Sequence, residues 1–323
     1  MSVELLPLDE WNRFDREHPA PTFFARPGWA YALQETIPAL AAAPLRIRLG
    51  EKTFILPTVH AARRRSPFRE YIGFPLGGYT CVLDEDGALA SSAQARAVVA
   101  AVAARVDHLR IFPWPLGPAL PTAGPVQPQP YEAAVIDCSD GFESAKARMR
   151  GVTRRMADQA LRRGVECARA GASDLHVYYA MLEEASRAWP SGKPSLSYAL
   201  LESVLNHGGD DAQLWFASVH GRPIGGGIIL FGADELFFWT AAMDRDASTY
   251  RPSNALNVAL LRAACERRVR WYNLGASQGL QGVERFKHDL GAASIAYHEV
   301  HVRRPAFAWY ERARGLFMRG NVC

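Results

Sequence analysis

The segment LWFASVHGRPIGGGIILFGADELFFWTAAMDRDASTYRPSNALNVALLRAACERRVRWYNLG, residues 214–275, carries the pattern that decides the fold. Leu214 to Val219 is rich in apolar and aromatic residues and predicts a strand, His220-Gly221 a tight turn, and Arg222 to Phe231 the partner strand. Gly232-Ala233-Asp234 then leads into a further strand, Leu236 to Ala242. Ser253 to Arg268 follows as a helix with Ser253 as N-cap, because Leu256, Leu260, Leu261 and Ala264 fall at helical spacing. Arg270 to Gly275 is the strand that closes the series. Gly225-Gly226-Gly227 follows a hairpin turn, not a strand-to-helix junction, so it reads as a bulge or a close backbone approach and not as a nucleotide loop.

The same order is found earlier in the chain. Leu45 to Leu49, the Gly50-Glu51 turn and Phe54 to Leu56 predict a hairpin. Ala88 to Val106 reads as a helix and Leu109 to Phe112 as the strand after it. Hairpin, strand, loop, helix and strand thus occur near 45–112 and again near 214–275, which predicts two copies of one unit. An aromatic-rich helical region, Trp11 to Leu40, precedes the first copy. The stretch Tyr71 to Tyr79 mixes aromatic residues with glycines that let a backbone bend or approach a ligand, so it is expected to line a site. Pro113 to Pro130 is dense in proline and glycine and reads as a loop.

Size and composition bound the answer. With 323 residues, 49% hydrophobic and 22% charged, the chain is long enough for two domains with real cores. The expected division is 1–140 and 141–323. No apolar stretch is long enough to span a bilayer, and the N-terminus lacks a basic and apolar leader, so a cytoplasmic protein without a transmembrane segment is expected. Cysteines at 81, 138, 167, 265 and 323 are scattered and odd in number, which fits reduced packing thiols better than a disulfide or zinc framework. A net charge of +4 permits contact with a polyanion without requiring it. His298 and His301, three apart in one expected strand from Ala293 to Val302, face opposite sides and do not form a metal pair. Ala306 to Arg319 is expected as a terminal amphipathic helix that docks on the body, membrane-surface binding being the lesser alternative. Trp189 to Pro194 reads as a plain link.

Between the copies, Ser144 to Gly164 is rich in arginine. On one continuous helix, Arg148, Arg155 and Arg162 share a face, either as a basic stripe for an anionic ligand or as a solvated surface. Arg154 and then Ala160-Leu161-Arg162-Arg163-Gly164-Val165, His220 to Gly227, Tyr250 to Leu256, Asn273-Leu274-Gly275-Ala276-Ser277 and Gly282 to Gly291, containing Phe286-Lys287, occur in that order. Taken together they resemble the FemAB-like, or BioF2-like, acetyltransferase domain of the GNAT superfamily. The tandem arrangement resembles the Fem aminoacyltransferases. Asp158-Gln159 and Asn273 depart from the family pattern, where a basic pair and an aspartate are usual.

The resemblance implies an α/β fold of two GNAT-like units, each a mixed bent sheet flanked by helices, sharing a cleft. It implies amide formation by acyl transfer, with Phe286 packing the site and Lys287 stabilising negative charge. Such a reaction needs a neutral amine beside an activated carbonyl and donors for the developing oxyanion. His288 and Asp289 would complete an electrostatic centre around Lys287. The expected donor-binding residues are Arg245, Arg251, Ser253, Asn254 and Arg154; Tyr71, Phe74, Tyr79 and Tyr250 are expected on the acceptor side. No permanently bound cofactor or metal is expected. The loop Met243 to Asn254 contains no glycine, so the tight backbone nest for coenzyme A pyrophosphate is absent, which favours charged tRNA over acyl-CoA as co-substrate. An acyl-CoA-dependent N-acyltransferase and a non-catalytic RNA-binding accessory protein stand as alternatives. The acceptor is a small-molecule or peptide amine; DNA is not an expected partner, and the oligomeric state is open.

Overall fold

The structure, a computed structural model, describes residues 1–61, 68–120, 130–189, 191–277 and 279–319. In chain order the elements begin with β1 (Ser2–Leu5), α1 (Leu8–Glu17), α2 (Pro27–Thr36), β2 (Leu40–Ala42), β3 (Leu45–Leu49), β4 (Lys52–Leu56), β5 (Val59–Ala61), β6 (Glu70–Gly73), β7 (Leu83–Asp84), α3 (Ser92–Ala103) and β8 (His108–Ile111). They continue with β9 (Pro130–Asp137), α4 (Gly141–Arg148), α5 (Gly151–Arg162), β10 (Val165–Ala170), α6 (Leu175–Ser186), α7 (Tyr198–Gly208), β11 (Ala212–Val219), β12 (Arg222–Phe231) and β13 (Glu235–Met243). The last are α8 (Pro252–Glu266), β14 (Trp271–Asn273), α9 (Gln281–Asp289), β15 (Ala293–His298), β16 (Val300–Arg303) and α10 (Pro305–Arg319). The fold is mixed α/β, as the sequence implied. None of the described helices is long and apolar enough to cross a membrane.

Two compact units result. One comprises Met1–Pro19, Phe24–Tyr131 and Tyr297–Cys323; the other comprises Ala20–Phe23 and Glu132–Ala296. In the first unit, β1, β3, β4 and β7 form a four-stranded sheet, and a five-stranded sheet runs β16-β8-β6-β5-β2. The alternation Leu45-Arg46-Ile47-Arg48 sends Leu45 and Ile47 into the core, while Arg46 and Arg48 reach the carboxylate of Glu4 on the neighbouring β1. α3 starts at a capping box made by Ser91 and Gln94, and its Val98, Val99 and Val102 pack on Ile47, Leu56, Leu109 and Ile111. The C-terminal helix docks through Phe307, which is fully buried and stacked on His108 at 4.6 Å.

The second unit holds a seven-stranded sheet in the order β10-β11-β12-β13-β14-β9-β15. From β10 to β13 the strands are antiparallel neighbours; β13 and β14 are parallel, and β14 meets β9 antiparallel. α8 covers this sheet with Leu256, Leu260, Leu261 and Ala264, all fully buried, at the spacing expected from sequence. α6 packs on β12 and β13, where Tyr178 and Thr240 share a hydrogen bond of 3.0 Å. The glycine run of β12 is a close approach: a Cβ on Gly227 would lie 2.3 Å from the Phe238 ring and 2.6 Å from the Thr240 carbonyl oxygen. Ladder irregularities flank it at Ala217/Ser218 and Ile228/Ile229.

Both units contain the predicted hairpin, strand, helix and strand. In each, a helix connects two parallel strands: β6, α3, β8 in one and β13, α8, β14 in the other. Three expectations change. The helix over 144–164 is two helices, broken at Met149–Arg150, so Arg148 does not continue the face of Arg155 and Arg162. The break is set from a distance, since the Arg150 N–H donates to the Asp289 carbonyl and the Arg148 guanidinium to the Asp137 carbonyl. The strand expected over 293–302 is also two, β15 and β16, in different sheets; Glu299 between them takes Arg110 bidentately at 2.7 and 3.1 Å. α8 begins at Pro252 with Arg251 as N-cap in the left-handed region, φ +59°, so Ser253 sits inside the first turn and is not the cap. Cys81 and Cys138 are buried and Cys167 and Cys265 half-buried, all as free thiols; Cys323, Pro190 and the 121–129 part of the proline-rich loop lie outside the described residues.

Candidate functional site

In the second unit the parallel ladder between β13 and β14 is short: Glu235 pairs with Trp271, Leu236 with Tyr272 and Phe237 with Asn273. β13 then runs on to Met243 beside β12, while the chain after β14 turns off at Gly275, whose φ of +68° suits a residue without Cβ. A fork therefore opens past Phe237 and Asn273. Its turn is fixed by Asn273, fully buried, whose Oδ1 accepts the Gly275 N–H at 2.8 Å while its Nδ2 donates to Glu235 at 2.7 Å. An aspartate here, usual in the family the sequence resembles, would set a second carboxylate against Glu235, so the amide suits this neighbour. Sequence reading missed Glu235, because a lone acidic residue opening a strand carries no signal of its buried partner.

α9 brings Lys287 to the mouth of the fork. Its Nζ donates to the carbonyls of Gly275 at 2.9 Å and Ala276 at 3.0 Å, and the residue is only 8% exposed. Burial pushes its pKa down to about 8. An ammonium has three N–H directions, of which two go to the loop carbonyls and one remains. Phe286 is half-buried against the core of the unit. His288 and Asp289 turn elsewhere: His288 Nδ1 lies 3.1 Å from the Ala292 carbonyl, and Asp289 pairs with Arg150 at 3.3 Å. The electrostatic centre expected from the Lys-His-Asp run is thus Lys287 alone.

The start of α8 lies after β13 and a 3-10 turn, Ser248–Tyr250. Pro252 has no N–H, and the amides of Asn254 and Ala255 both donate to the Arg251 carbonyl, at 3.1 and 3.2 Å. That leaves the Ser253 amide and the exposed Arg251 side chain at this helix terminus. The turn is anchored from below, since Tyr272 OH donates to Asn257 Oδ1 and Asn257 Nδ2 to the Ser253 carbonyl, each at 2.8 Å. Tyr250 packs half-buried on the core and Asn254 is buried. Arg154 spends its guanidinium on the Ala147 carbonyl at 3.1 Å, where it ties α5 to α4.

Arg245 lines an open groove of about 580 Å³ between α6, the start of β12 and the end of β13. In the first unit, Phe74 is fully buried and Tyr79 2% exposed, packed edge-to-face with Phe24 and Tyr297, so their rings are core and reach no ligand surface. Tyr71 is half-buried against His60. The parallel pair of this unit has no matching fork. Past Gly73 and Ile111 the gap is filled by Thr80, which bridges Pro113, takes the Trp114 N–H, donates its own N–H to Phe112 and its hydroxyl to Pro57.

Comparison with known proteins agrees with this architecture. Residues 144–288 match the family described as an acetyltransferase (GNAT) domain. No match is found among curated proteins. Among solved structures the chain is similar to the crystal structure of FemX, with a TM-score of 0.71 at 11% identity over 96% of this chain and 99% of that one. It is also similar to the C-terminal domain of a proposed lysylphosphatidylglycerol synthetase from Agrobacterium fabrum, with a TM-score of 0.52 at 11% identity over 93% and 92%. A conserved protein of unknown function from Bacteroides thetaiotaomicron VPI-5482 gives a TM-score of 0.52 at 10% identity over 94% and 100%.

Proposed function

We propose that this chain, a FemAB-like member of the GNAT acyltransferases, forms an amide by moving an activated acyl group from aminoacyl-tRNA to an amine. The observation that carries the reading is Lys287 at the mouth of the β13/β14 fork, with its ammonium held by two loop carbonyls. The donor carbonyl enters the fork, and the third N–H of Lys287 donates to the oxygen that becomes negative as the amine attacks. Two fixed hydrogen bonds hold the ammonium in place beforehand, so little reorganisation is needed in the transition state. The acceptor amine attacks without a covalent enzyme intermediate, and its surplus proton leaves to solvent or to the departing oxygen.

The tRNA donor is favoured over coenzyme A by the start of α8. A pyrophosphate cradle needs several free amides in one helical turn, and here the Arg251 amide is bonded to the Ser248 carbonyl, Pro252 has none and the Asn254 amide is bonded to Arg251. Arg251 and Ser253 remain as contacts for a single backbone phosphate. FemX supplies the fold-level precedent. Incubation with labelled aminoacyl-tRNAs and an amine-containing extract, beside a nuclease-treated control and a parallel acyl-CoA reaction, tests this. Product that survives nuclease and depends on acyl-CoA gives the donor role to coenzyme A and rejects tRNA; no product with either donor rejects the transferase reading.

A further inference from the structure

The groove between α6 and the end of β13 is lined by six charged side chains: Glu184, Arg187, Arg222, Asp244, Arg245 and Asp246. Four of them satisfy one another. Glu184 pairs with Arg187 at 2.5 Å, and Asp244 with Arg222 at 3.0 Å. Asp244 also receives the Asp246 backbone N–H on its other oxygen, at 2.9 Å, so each of its carboxylate oxygens has a partner. Among the described residues, Arg245 and Asp246 enter no ion pair, and both are exposed on the loop that follows β13. The groove therefore presents one uncommitted cation and one uncommitted anion on adjacent residues. Its apolar surface comes from Met181, Pro223 and Met243. Met243 is the last residue of β13, the strand that forms one arm of the fork.

We propose that this groove binds the acceptor as a zwitterionic free α-amino acid, with its carboxylate on Arg245 and its ammonium on Asp246, which takes up the ammonium proton before the amine attacks. Arginine matches a carboxylate with parallel N–H donors, and a carboxylate accepts from an ammonium with charge assistance. Neither residue alone selects for this class, since an isolated arginine takes any anion and an isolated aspartate any amine. The demand for both charges close together is what excludes simple amines and simple acids. The inference rests on the transferase reading of the fork, because only then does an amine need a place beside β13.

The test uses the full chain and a calorimetric titration against defined probes. L-alanine and L-lysine carry both charges on one carbon; ethylamine and cadaverine lack the carboxylate; N-acetylalanine lacks the ammonium. Binding of the first group, weakened by about 10-fold or more on removing either charge from the ligand, is expected, as is a loss of similar size in Arg245→Ala and Asp246→Asn. Equal binding of cadaverine or N-acetylalanine overturns the proposal, and so does zwitterion binding that both variants leave unchanged. Absence of zwitterion binding also overturns it. The parent reading is scored separately: acyl transfer to amines that lack a carboxylate keeps the transferase and rejects this acceptor class, whereas no transfer to any amine rejects the transferase itself.

Discussion

At the scale of single residues, Lys287 costs stability at neutral pH and carries the charge on which the proposed transfer depends. Its pKa is depressed to about 8 by burial, so the native state loses the proton at a lower pH than the unfolded chain does. Between pH 8 and the ordinary lysine value near 10.4, the unfolded state binds more protons, and stability therefore rises with pH across that window. Keeping the charge at pH 7 costs on the order of 3 kcal/mol. Lys287→Met removes the charge while filling the space, so the difference in urea-unfolding free energy between variant and wild type should shrink from pH 8 to pH 10. A constant difference would show that the ammonium is not buried. The same variant should lower turnover by about 10-fold or more, and the descending limb of wild-type activity near pH 8, where the ammonium is lost, should vanish from its residual activity. Asn273 makes a second residue-scale case. Asn273→Asp replaces the donor to Glu235 with a carboxylate, so at pH 7 one of the two acids must hold a proton or both must repel. A loss of about 1–3 kcal/mol at pH 7, partly recovered as pH falls and the pair takes up a proton, is expected in denaturant titrations.

At the scale of elements, α8 was legible because Leu256, Leu260, Leu261 and Ala264 report their own burial through spacing. The break between α4 and α5 was not, although Gly151 sits at the junction. What fixes it is the Asp289 carbonyl, which receives the Arg150 N–H from across the unit. The arginine-rich stretch shows the same limit, since seven-residue spacing defines a face only while the helix is unbroken. In the first unit, Phe74 and Tyr79 read as ligand-facing because aromatic and glycine residues mark both clefts and cores. Their backbone, with φ +52° at Phe74 and +63° at Leu76, folds the rings inward, and sequence does not reveal which way such a turn goes. For α8 the testable element is its buried anchor. Tyr272→Phe leaves Asn257 Oδ1 without its donor in a site 3% exposed, which should cost about 1–3 kcal/mol with an unchanged denaturant slope. Because Asn257 also holds the Ser253 carbonyl, amide exchange at the first turn of α8 should quicken in the variant. Unchanged exchange there would mean that the anchor stabilises the core without organising the helix start.

At the scale of the whole molecule, the repeat was legible but the way the first unit is completed was not. Its five-stranded sheet is finished by β16 near the end of the chain, which pairs Val300 with Ile111 and Arg303 with His108. No local pattern in 45–112 announces a missing strand, because β8 carries the same apolar alternation whether or not its outer edge is covered. The cover is substantial. Val300 is 1% exposed, Phe307 is fully buried on His108, Glu299 takes Arg110, and His301 meets His108 with their Nε2 atoms 2.7 Å apart. Ending the chain at His298 removes all of these while leaving unit 2 from Glu132 to Ala296 in place. Two fully buried apolar side chains are lost, worth about 1.5–3 kcal/mol each, and β8 becomes an open edge able to pair with other molecules. The truncated protein should therefore aggregate more readily, and brief proteolysis followed by mass spectrometry should show new cuts clustered between residues 68 and 120. Cleavage within 132–296 should stay near the wild-type level. If the cuts instead spread evenly over both units, β16 is a support for the entire chain and not the closing strand of the first sheet alone.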